Sequence, residues 1–263
     1  MHQPIGFYLG DREDPQRRAD VAVVMPSSLR PEAARALRSV FAQDFDGRIQ
    51  VMLGVDRSDQ SDSAITGLFD QRPANVSACV VRLPYSTSLQ YGGVHSAGHG
   101  GALRSILSFM ANSRRVTYLD DDNEWLPSHL SDLVKALQDN AWAHSHRTLV
   151  DRDSGRELGV DRHESAGVDQ GRFKDQGGFV DPACLMIDKV KLVRALDRWS
   201  VAVPVQVDEQ AGKVRLGEAD RHLFRSIRTW PHGVEPGPTV RRYVAAEDPL
   251  RRQFDAKAGQ AAP

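Results

Sequence analysis

Short apolar runs alternate with amphipathic helical segments over the first 140 residues, and this alternation constrains the fold more than any other feature. Val21–Met25 is an apolar run that ends at Pro26. Residues 31–43 follow with apolar side chains spaced three and four apart, which predicts a helix, and Ile49–Val55 is a second apolar run. Strand, helix and strand with short connections form the unit that builds a parallel sheet. The sequence therefore predicts an α/β fold with helices flanking a mostly parallel central sheet.

The same alternation continues to residue 140. It predicts strands at Ser77–Leu83 and Val116–Leu119, and helices over residues 100–112 and from Pro127 onward. Each predicted strand ends in a polar loop, and the carboxyl ends of parallel strands meet at one edge of the sheet. Ligands of open α/β sheets bind at that edge. We therefore expect the functional site there.

The second half of the chain has a different character. Residues 144–178 are polar and rich in Arg, Asp, His and Gly, which indicates antiparallel strands and loops. A strand is predicted at Ala183–Ile187, with helices at Val190–Trp199 and Ala219–Arg228.

Both ends of the chain are polar. Residues 1–20 are predicted to be an N-terminal extension, and residues 245–263, with almost no large apolar side chains, a disordered tail. The 263 residues are enough for one principal domain between them.

Charge and cysteine content exclude several classes of protein. Lys and Arg total 34 against 35 Asp and Glu, which argues against a nucleic-acid-binding surface. Cys79 and Cys184 are isolated in apolar stretches, so two buried thiols in a reducing compartment are favoured over a disulfide framework or a zinc site. The sequence shows neither a secretion signal nor the run of about 20 apolar residues that a membrane span needs. We therefore expect a cytoplasmic protein without a membrane span.

Three consecutive aspartates follow the strand predicted at Val116–Leu119. In the segment VTYLDDDNEWLP they lie in a loop directly before a helix. Adjacent carboxylates repel one another, and a hard divalent cation such as Mn²⁺ or Mg²⁺ takes oxygen ligands of this type. One or two carboxylates together with phosphate oxygens are the usual ligands at a diphosphate site. A solvated turn in which one aspartate caps the next helix explains the tripeptide equally well.

Several segments, in order over residues 20–245, resemble family 2 glycosyltransferases. VAVVMPSSLRPEAARALRSVFAQ is similar to the family's first strand, loop and helix, IQVMLGVDRSDQSD to its second strand and acidic turn, and LDDDNEWLP to its Asp-x-Asp segment. GGFVDPACLMIDK is similar to the acceptor-side strand, and EADRHLFRSI to the segment with the catalytic base. The resemblance implies the GT-A fold, a Rossmann-like sandwich with a small antiparallel acceptor-side region. It also implies a nucleotide-sugar-binding half, 21–140, and an acceptor-binding and catalytic-base half, 141–244, of the same domain.

The resemblance implies an enzyme that moves a sugar from a nucleotide-diphosphate donor to an acceptor hydroxyl with inversion, dependent on Mn²⁺ or Mg²⁺. A UDP-sugar is the favoured donor; the acceptor is unknown, and homo-oligomerisation stays open. Two other functions also stay open. A sugar-phosphate nucleotidyltransferase is one, although the loop PSSLRP lacks the glycines usual in that class. A non-catalytic nucleotide-sugar-binding protein is the other.

Carried over position by position, the resemblance assigns the nucleoside pocket to three residues. Pro26 and Ser27 would line it, and Asp56 would accept a hydrogen bond from the base. A carboxylate is an acceptor-only group that suits the imide N–H of uracil. An Asx turn is the structural alternative for Asp56.

The same resemblance assigns the metal and the diphosphate. Asp122 would contact the metal directly, Asp120 would lie near ribose and diphosphate and is a second candidate ligand, and Asp121 is a further donor contact. Arg104 is a candidate partner of the diphosphate. His232 is a further candidate for the metal or the diphosphate, against the commoner role of an ordinary surface histidine.

His95 and His99 lie four residues apart in YGGVHSAGHGGALRS. This spacing suits a metal pair on a helix, but the surrounding glycines disfavour a continuous helix. A loop that contacts the diphosphate or the sugar is the favoured interpretation.

Inverting transfer needs a base that takes the proton of the acceptor hydroxyl. The resemblance places an Asp at the start of a late helix, with Glu before it and Leu three residues after it. Asp220 precedes Leu223 by three residues, so Asp220 is the predicted base. Ala219 stands where the family has Glu, which leaves Glu218 as the alternative base. Acidic residues also favour helix N-termini without any catalytic role.

Overall fold

The computed structural model describes residues 5–9, 14, 16–56, 63–98, 100–201, 206–208, 213–215 and 219–260. The strands within these residues are β1 Ile5–Tyr8, β2 Ala19–Ser27, β3 Ile49–Val55, β4 Val76–Arg82, β5 Ser113–Tyr118, β6 Asn123–Trp125, β7 Trp142–Asp151, β8 Glu157–Val160, β9 Gly167–Val168, β10 Gly178–Phe179, β11 Leu185–Asp188, β12 Gln206–Asp208, β13 Lys213–Arg215 and β14 His232–Val244. The α-helices are α1 Ala33–Phe41, α2 Ser63–Phe69, α3 Gly101–Met110, α4 His129–Leu137, α5 Ala219–Ile227 and α6 Pro249–Gln260. Short 3₁₀ helices cover Leu89–Tyr91, Gly171–Gln176, Pro182–Cys184 and Val193–Ser200.

The first half of the main sheet is parallel, as the alternating pattern predicts. Its strands lie in the order β4, β3, β2, β5, with Val21 opposite Ile49 and Ile49 opposite Val76. The apolar run of β2 is buried throughout, as expected for a strand covered on both faces. At the outer edge β1 pairs antiparallel with β4, so Ile5–Tyr8 of the predicted extension belongs to the sheet.

The second half of the main sheet is mixed. β11 lies between β5 and β7 and is antiparallel to both. β14 runs parallel to β7, while the short strands β6 and β8 pair antiparallel with β14 and β7 respectively. β9 with β10 and β12 with β13 form two further two-stranded sheets. These antiparallel pairs match the character predicted for the second half.

Two segments differ from the sequence-based expectation. Where a helix is predicted at Val190–Trp199, the side chain of Asp188 accepts hydrogen bonds from the backbone N–H groups of Val190 and Lys191 at 3.0 and 3.1 Å. These bonds hold a turn, and only a 3₁₀ helix follows it at Val193–Ser200.

The predicted disordered tail contains a helix instead, α6, over Pro249–Gln260. Leu250 is buried against Leu149 of β7 and Val244 of β14, which forms a small apolar cluster separate from the main core. Leu250 and Phe254, together with an ion pair between Arg251 and Asp151, therefore hold α6 to the sheet.

The first turn of α3 packs closely against two neighbouring segments. A Cβ built on Gly101 would lie 2.1 Å from the Trp199 carbonyl oxygen and 2.9 Å from the Ala219 Cβ. Only glycine fits at this junction, where α3, the Val193–Ser200 helix and α5 meet. In the part of the chain that the structure describes, no helix combines the length and apolarity needed to cross a membrane.

Candidate active site

Three parallel strands deliver predicted site residues to one edge of the sheet. β2 ends at Ser27, β3 ends before Asp56, and the aspartate segment follows β5. The backbone N–H of Asp56 donates to the Ser27 carbonyl at 3.0 Å, and the Ser27 hydroxyl donates to the Asp121 carboxylate at 2.8 Å. The fold thus brings together loops that are 94 residues apart in sequence.

Asp121 faces into the protein. The residue is 3% exposed, and its carboxylate accepts hydrogen bonds from Ser27 and, at 2.9 Å, from Arg30 Nε. These bonds join the loop after β2 to the loop after β5. Asp121 is therefore placed to hold these two loops together.

Asp120 and Asp122 keep part of their surface toward solvent. Their side chains are 28% and 35% exposed. Asp120 forms an ion pair with Arg104, and Asp122 Oδ2 lies 3.4 Å from Arg30 Nη1. Carboxylate oxygens suit Mn²⁺ or Mg²⁺.

The described residues contain no group of three or more His, Cys, Asp or Glu side chains arranged to hold a metal ion. Two partly exposed carboxylates nevertheless fit a divalent cation whose remaining ligands are phosphate oxygens and water, which is how Mg²⁺ binds beside nucleotides. The residues that would hold it are Asp122 and Asp120.

Asp56 anchors the loop that follows β4. Its carboxylate accepts hydrogen bonds from Ser86 Oγ at 3.1 Å and from the Thr87 backbone N–H at 2.8 Å. A carboxylate has about four lone-pair sites, so these two bonds leave capacity for a nucleobase donor.

Arg104 is fixed beneath the edge. Its side chain is 3% exposed, and its guanidinium lies 5.1 Å from the Trp199 ring centroid. Gly100, just before α3, adopts φ +71°, and a Cβ there would meet Pro26 at 2.8 Å. The glycine lets α3 approach the β2 loop, so that Arg104 reaches Asp120.

The start of α5 lies beside the start of α3, because Ala219 packs against Gly101. Asp220 is half-buried in this first turn, and its carboxylate accepts from the backbone N–H of Arg221 at 2.8 Å. The fold thus places Asp220, the predicted base, beside the start of α3, the helix that carries Arg104. Glu218, the alternative base, lies outside the described residues.

The histidine candidates have different outcomes. His95 belongs to the loop held by Asp56, and its backbone N–H donates to the Thr87 carbonyl at 3.0 Å. His99 lies outside the described residues. The metal pair considered for His95 and His99 thus includes a residue outside the described part of the chain.

The structure does not bring His232 to the aspartate segment. His232 lies opposite Trp142 of β7, which lies opposite Ile187 of β11, which lies opposite Val116 of β5. His232 is therefore three strands away from β5, at the level of a residue four positions before Asp120. Its ring stacks on Trp142 with centroids 4.5 Å apart. The expected metal or diphosphate contact from His232 is thus not made in this fold.

Sequence reasoning missed the arginines that surround the site. Arg147 is fully buried in the middle of β7 and pairs with Asp161 at 2.9 Å, Glu164 at 2.7 Å and Asp181. Burial alone would raise the pKa of Asp161, but Arg147 and backbone N–H donors outweigh it and hold that pKa at about 2. No local pattern distinguishes a buried arginine from an exposed one, so the sequence offers no signal for this cluster.

The carboxyl end of β14 closes the opposite side of the aspartate loop. Arg35 Nη2 donates to the Asp122 carbonyl at 3.2 Å, and its guanidinium lies 3.7 Å from the Tyr243 ring centroid. Arg242 Nη1 lies 3.5 Å from the Asp181 carboxylate. Arginines of α1 and β14 therefore flank the aspartate loop.

No family model and no curated protein matches the sequence. Solved structures match its fold. S. aureus TarS aligns with 90% of the chain at a TM-score of 0.59 and 16% identity. TarS 1–349 in complex with UDP-GlcNAc aligns with 88% at 0.61 and 13% identity. The mannosyltransferase PcManGT from Pyrobaculum calidifontis, in complex with GDP-Man and Mn²⁺, aligns with 95% at 0.55 and 19% identity.

The chain has the fold of these glycosyltransferases. The α/β architecture of GT-A type, with its large central sheet flanked by helices, is confirmed. The chain covers 39% of the TarS chain, 60% of TarS 1–349 and 67% of the mannosyltransferase.

Proposed function

We propose that this protein is a glycosyltransferase that takes a sugar from a nucleotide-diphosphate donor and passes it to an acceptor hydroxyl. The observation that carries the proposal is the pair of partly exposed carboxylates, Asp120 and Asp122, at the carboxyl edge of the sheet. The same fold holds UDP-GlcNAc in one solved structure and GDP-Man with Mn²⁺ in another. The order of motifs along the sequence supports family 2 in particular.

The donor would lie across the ends of β2, β3 and β5. Pro26, Ser27 and Asp56 would contact the nucleoside, and Asp56, an acceptor-only group, would suit the imide N–H of uracil. Arg104, fixed and positively charged beside Asp120, would attract the diphosphate.

A divalent cation held by Asp122 and Asp120 would stabilise the negative charge that develops on the leaving diphosphate. Asp121 would hold the two loops in register through Ser27 and Arg30.

Asp220 would act as the general base. Its carboxylate would take the proton of the acceptor hydroxyl as that oxygen forms a bond to the anomeric carbon and the bond to the diphosphate breaks. Attack opposite the leaving group inverts the anomeric configuration. Glu218 stays the alternative base.

Donor binding is the first test. Thermal shift and calorimetry with UDP, GDP and their sugar conjugates, each with Mn²⁺ and with chelator, should show metal-dependent binding of at least one nucleotide. Slow release of free sugar from the bound donor should follow, because water replaces the acceptor. Binding of no nucleotide diphosphate would contradict the proposal, and binding without sugar release or transfer would favour the non-catalytic alternative.

A further inference from the structure

Arg30 connects two of the three aspartates. Its Nε donates to Asp121 Oδ1 at 2.9 Å, its Nη2 contacts the same oxygen, and its Nη1 lies 3.4 Å from Asp122 Oδ2. Arg104 pairs with Asp120. Each carboxylate of the segment therefore has an arginine partner supplied by the protein itself.

The two arginines differ in their freedom to move. The Arg104 side chain is 3% exposed and packed under Trp199, whereas the Arg30 side chain is 48% exposed. Arg30 also lies in the loop between β2 and α1 rather than in a helix. Asp122 is also partly exposed, so its contact with Arg30 is a surface ion pair that gains little net free energy and exchanges partners at low cost. The contact with Asp122 is therefore the one that can exchange, whereas the pair with the buried Asp121 and the pair of the buried Arg104 cannot be broken at low cost.

We propose that Arg30 is an exchangeable counter-ion, which pairs with Asp121 and Asp122 in the free protein and, when a divalent cation binds, keeps Asp121 while its Nη1 moves from Asp122 to the donor diphosphate. The inference rests on the proposed function. Cation and guanidinium compete for the Asp122 carboxylate because both are attracted to the same charge. The Nη1 group that leaves Asp122 is a charged N–H donor that suits phosphate oxygens.

Exchange makes the two ligands cooperative. The cation alone must displace Arg30 with no new partner for it, and the diphosphate alone meets carboxylates and an arginine that is already paired. When both bind, the diphosphate gives the displaced Arg30 N–H a new partner, and the cation neutralises the carboxylates that repel the diphosphate. Coupling of this kind is reciprocal, so it can be measured from either ligand.

The experiment measures four dissociation constants on the full chain. Free Mn²⁺ is followed by electron paramagnetic resonance, with and without saturating UDP, and UDP is titrated by calorimetry, with and without Mn²⁺. The variants are Arg30→Met, Arg30→Lys and the control Arg38→Met, which removes an exposed arginine of α1. Mn²⁺ and UDP also bind each other in solution, but that contribution is the same for every variant and cancels in the ratios.

Arg30→Met should bind Mn²⁺ alone up to about fivefold more tightly and UDP in saturating Mn²⁺ up to about fivefold more weakly, the size expected for one partly screened charge. Arg30→Met also removes a partner of the buried Asp121. Arg30→Lys is therefore measured beside it, because lysine keeps the charge without the fork and should shift both constants in the same directions by less. Arg38→Met should match the wild type.

Unchanged Mn²⁺ and UDP constants in Arg30→Met would overturn the exchange while the proposed function stands, provided the wild type binds UDP with Mn²⁺. Tighter binding of both ligands would also overturn it, since Arg30 would then only obstruct the site. If the wild type binds neither UDP nor GDP with Mn²⁺, the proposed function fails and the exchange fails with it.

Discussion

At the scale of single residues, three consecutive aspartates have three different environments. Asp121 is buried and accepts from Ser27 and Arg30, Asp120 pairs with the fixed Arg104, and Asp122 is the most exposed of the three. An external ligand needs lone pairs that face solvent. Asp122 is therefore the best placed of the three to bind one, and Asp121 the worst.

Asp122→Ala and Asp121→Ala should separate binding from folding. Asp122→Ala should weaken UDP binding in Mn²⁺ with little change in unfolding temperature. Asp121→Ala leaves the buried Ser27 hydroxyl without its acceptor, so it should cost about 1–3 kcal/mol of folding free energy. Calorimetry and urea denaturation measure the two effects. Loss of binding in a fully stable Asp121→Ala would make Asp121 a ligand of the donor instead.

Asp56→Ala should discriminate between bases. If Asp56 accepts from the uracil imide, its loss leaves that donor unpaired and weakens UDP by about 1–3 kcal/mol more than GDP. The control is Ser86→Ala, which removes one hydroxyl bonded to Asp56 and leaves the carboxylate in place. Equal weakening of UDP and GDP by Asp56→Ala would show that Asp56 does not select uracil.

Asp220→Asn tests the base. A base acts in the transition state and contributes little to donor binding, so kcat should fall about 10²–10⁴-fold while the donor Kd stays nearly constant. Glu218→Gln should change kcat only slightly. The reverse pattern would make Glu218 the base, and full activity of both variants would refute a base on this helix.

At the scale of secondary-structure elements, the site depends on how closely α3 approaches its neighbours. Gly101→Ala would put a methyl group 2.1 Å from the Trp199 carbonyl oxygen and should cost about 1–3 kcal/mol. Gly67→Ala is the matched control, since a Cβ there meets nothing within 4 Å and alanine favours helix α2 by up to about 1 kcal/mol. Urea denaturation of both variants measures the difference. Equal stability of the two variants would show that the junction relaxes.

At the scale of the whole molecule, buried histidines should make stability depend on pH. Burial lowers the pKa of His129 to about 3 and that of His144 to about 4. In the unfolded chain these histidines take up protons near pH 6.5, whereas in the folded chain they stay neutral. The free energy of unfolding is therefore highest above pH 6.5 and decreases as the pH falls toward 4. The slope should reach about 1.4 kcal/mol per pH unit for each histidine.

Urea denaturation at pH 7, 6 and 5 measures this slope. Burial also lowers the pKa of His146, so His144→Asn should reduce the slope by less than half, because two such histidines remain. Asp161, with its pKa held at about 2, stays ionised throughout this range. A free energy of unfolding that is constant from pH 7 to 5 would contradict the prediction.

The sequence by itself determined the local elements and the edge at which they meet. Apolar periodicity reports which face of a strand or helix is buried, so β3 and α3 lie close to their predicted bounds. Polar residues after a parallel strand must emerge at its carboxyl end, which placed Ser27, Asp56 and Asp120 correctly at one edge. These conclusions need only the neighbours of each residue along the chain.

The tertiary structure alone decided which charges pair and which candidates meet. Arg30 reaches Asp121 across 91 residues, and Arg147 is buried among three carboxylates from two loops. The register of β7 and β14 placed His232 far from Asp120. Burial and pairing of a charged side chain depend on what packs across from it, and periodicity along the chain carries no information about that partner.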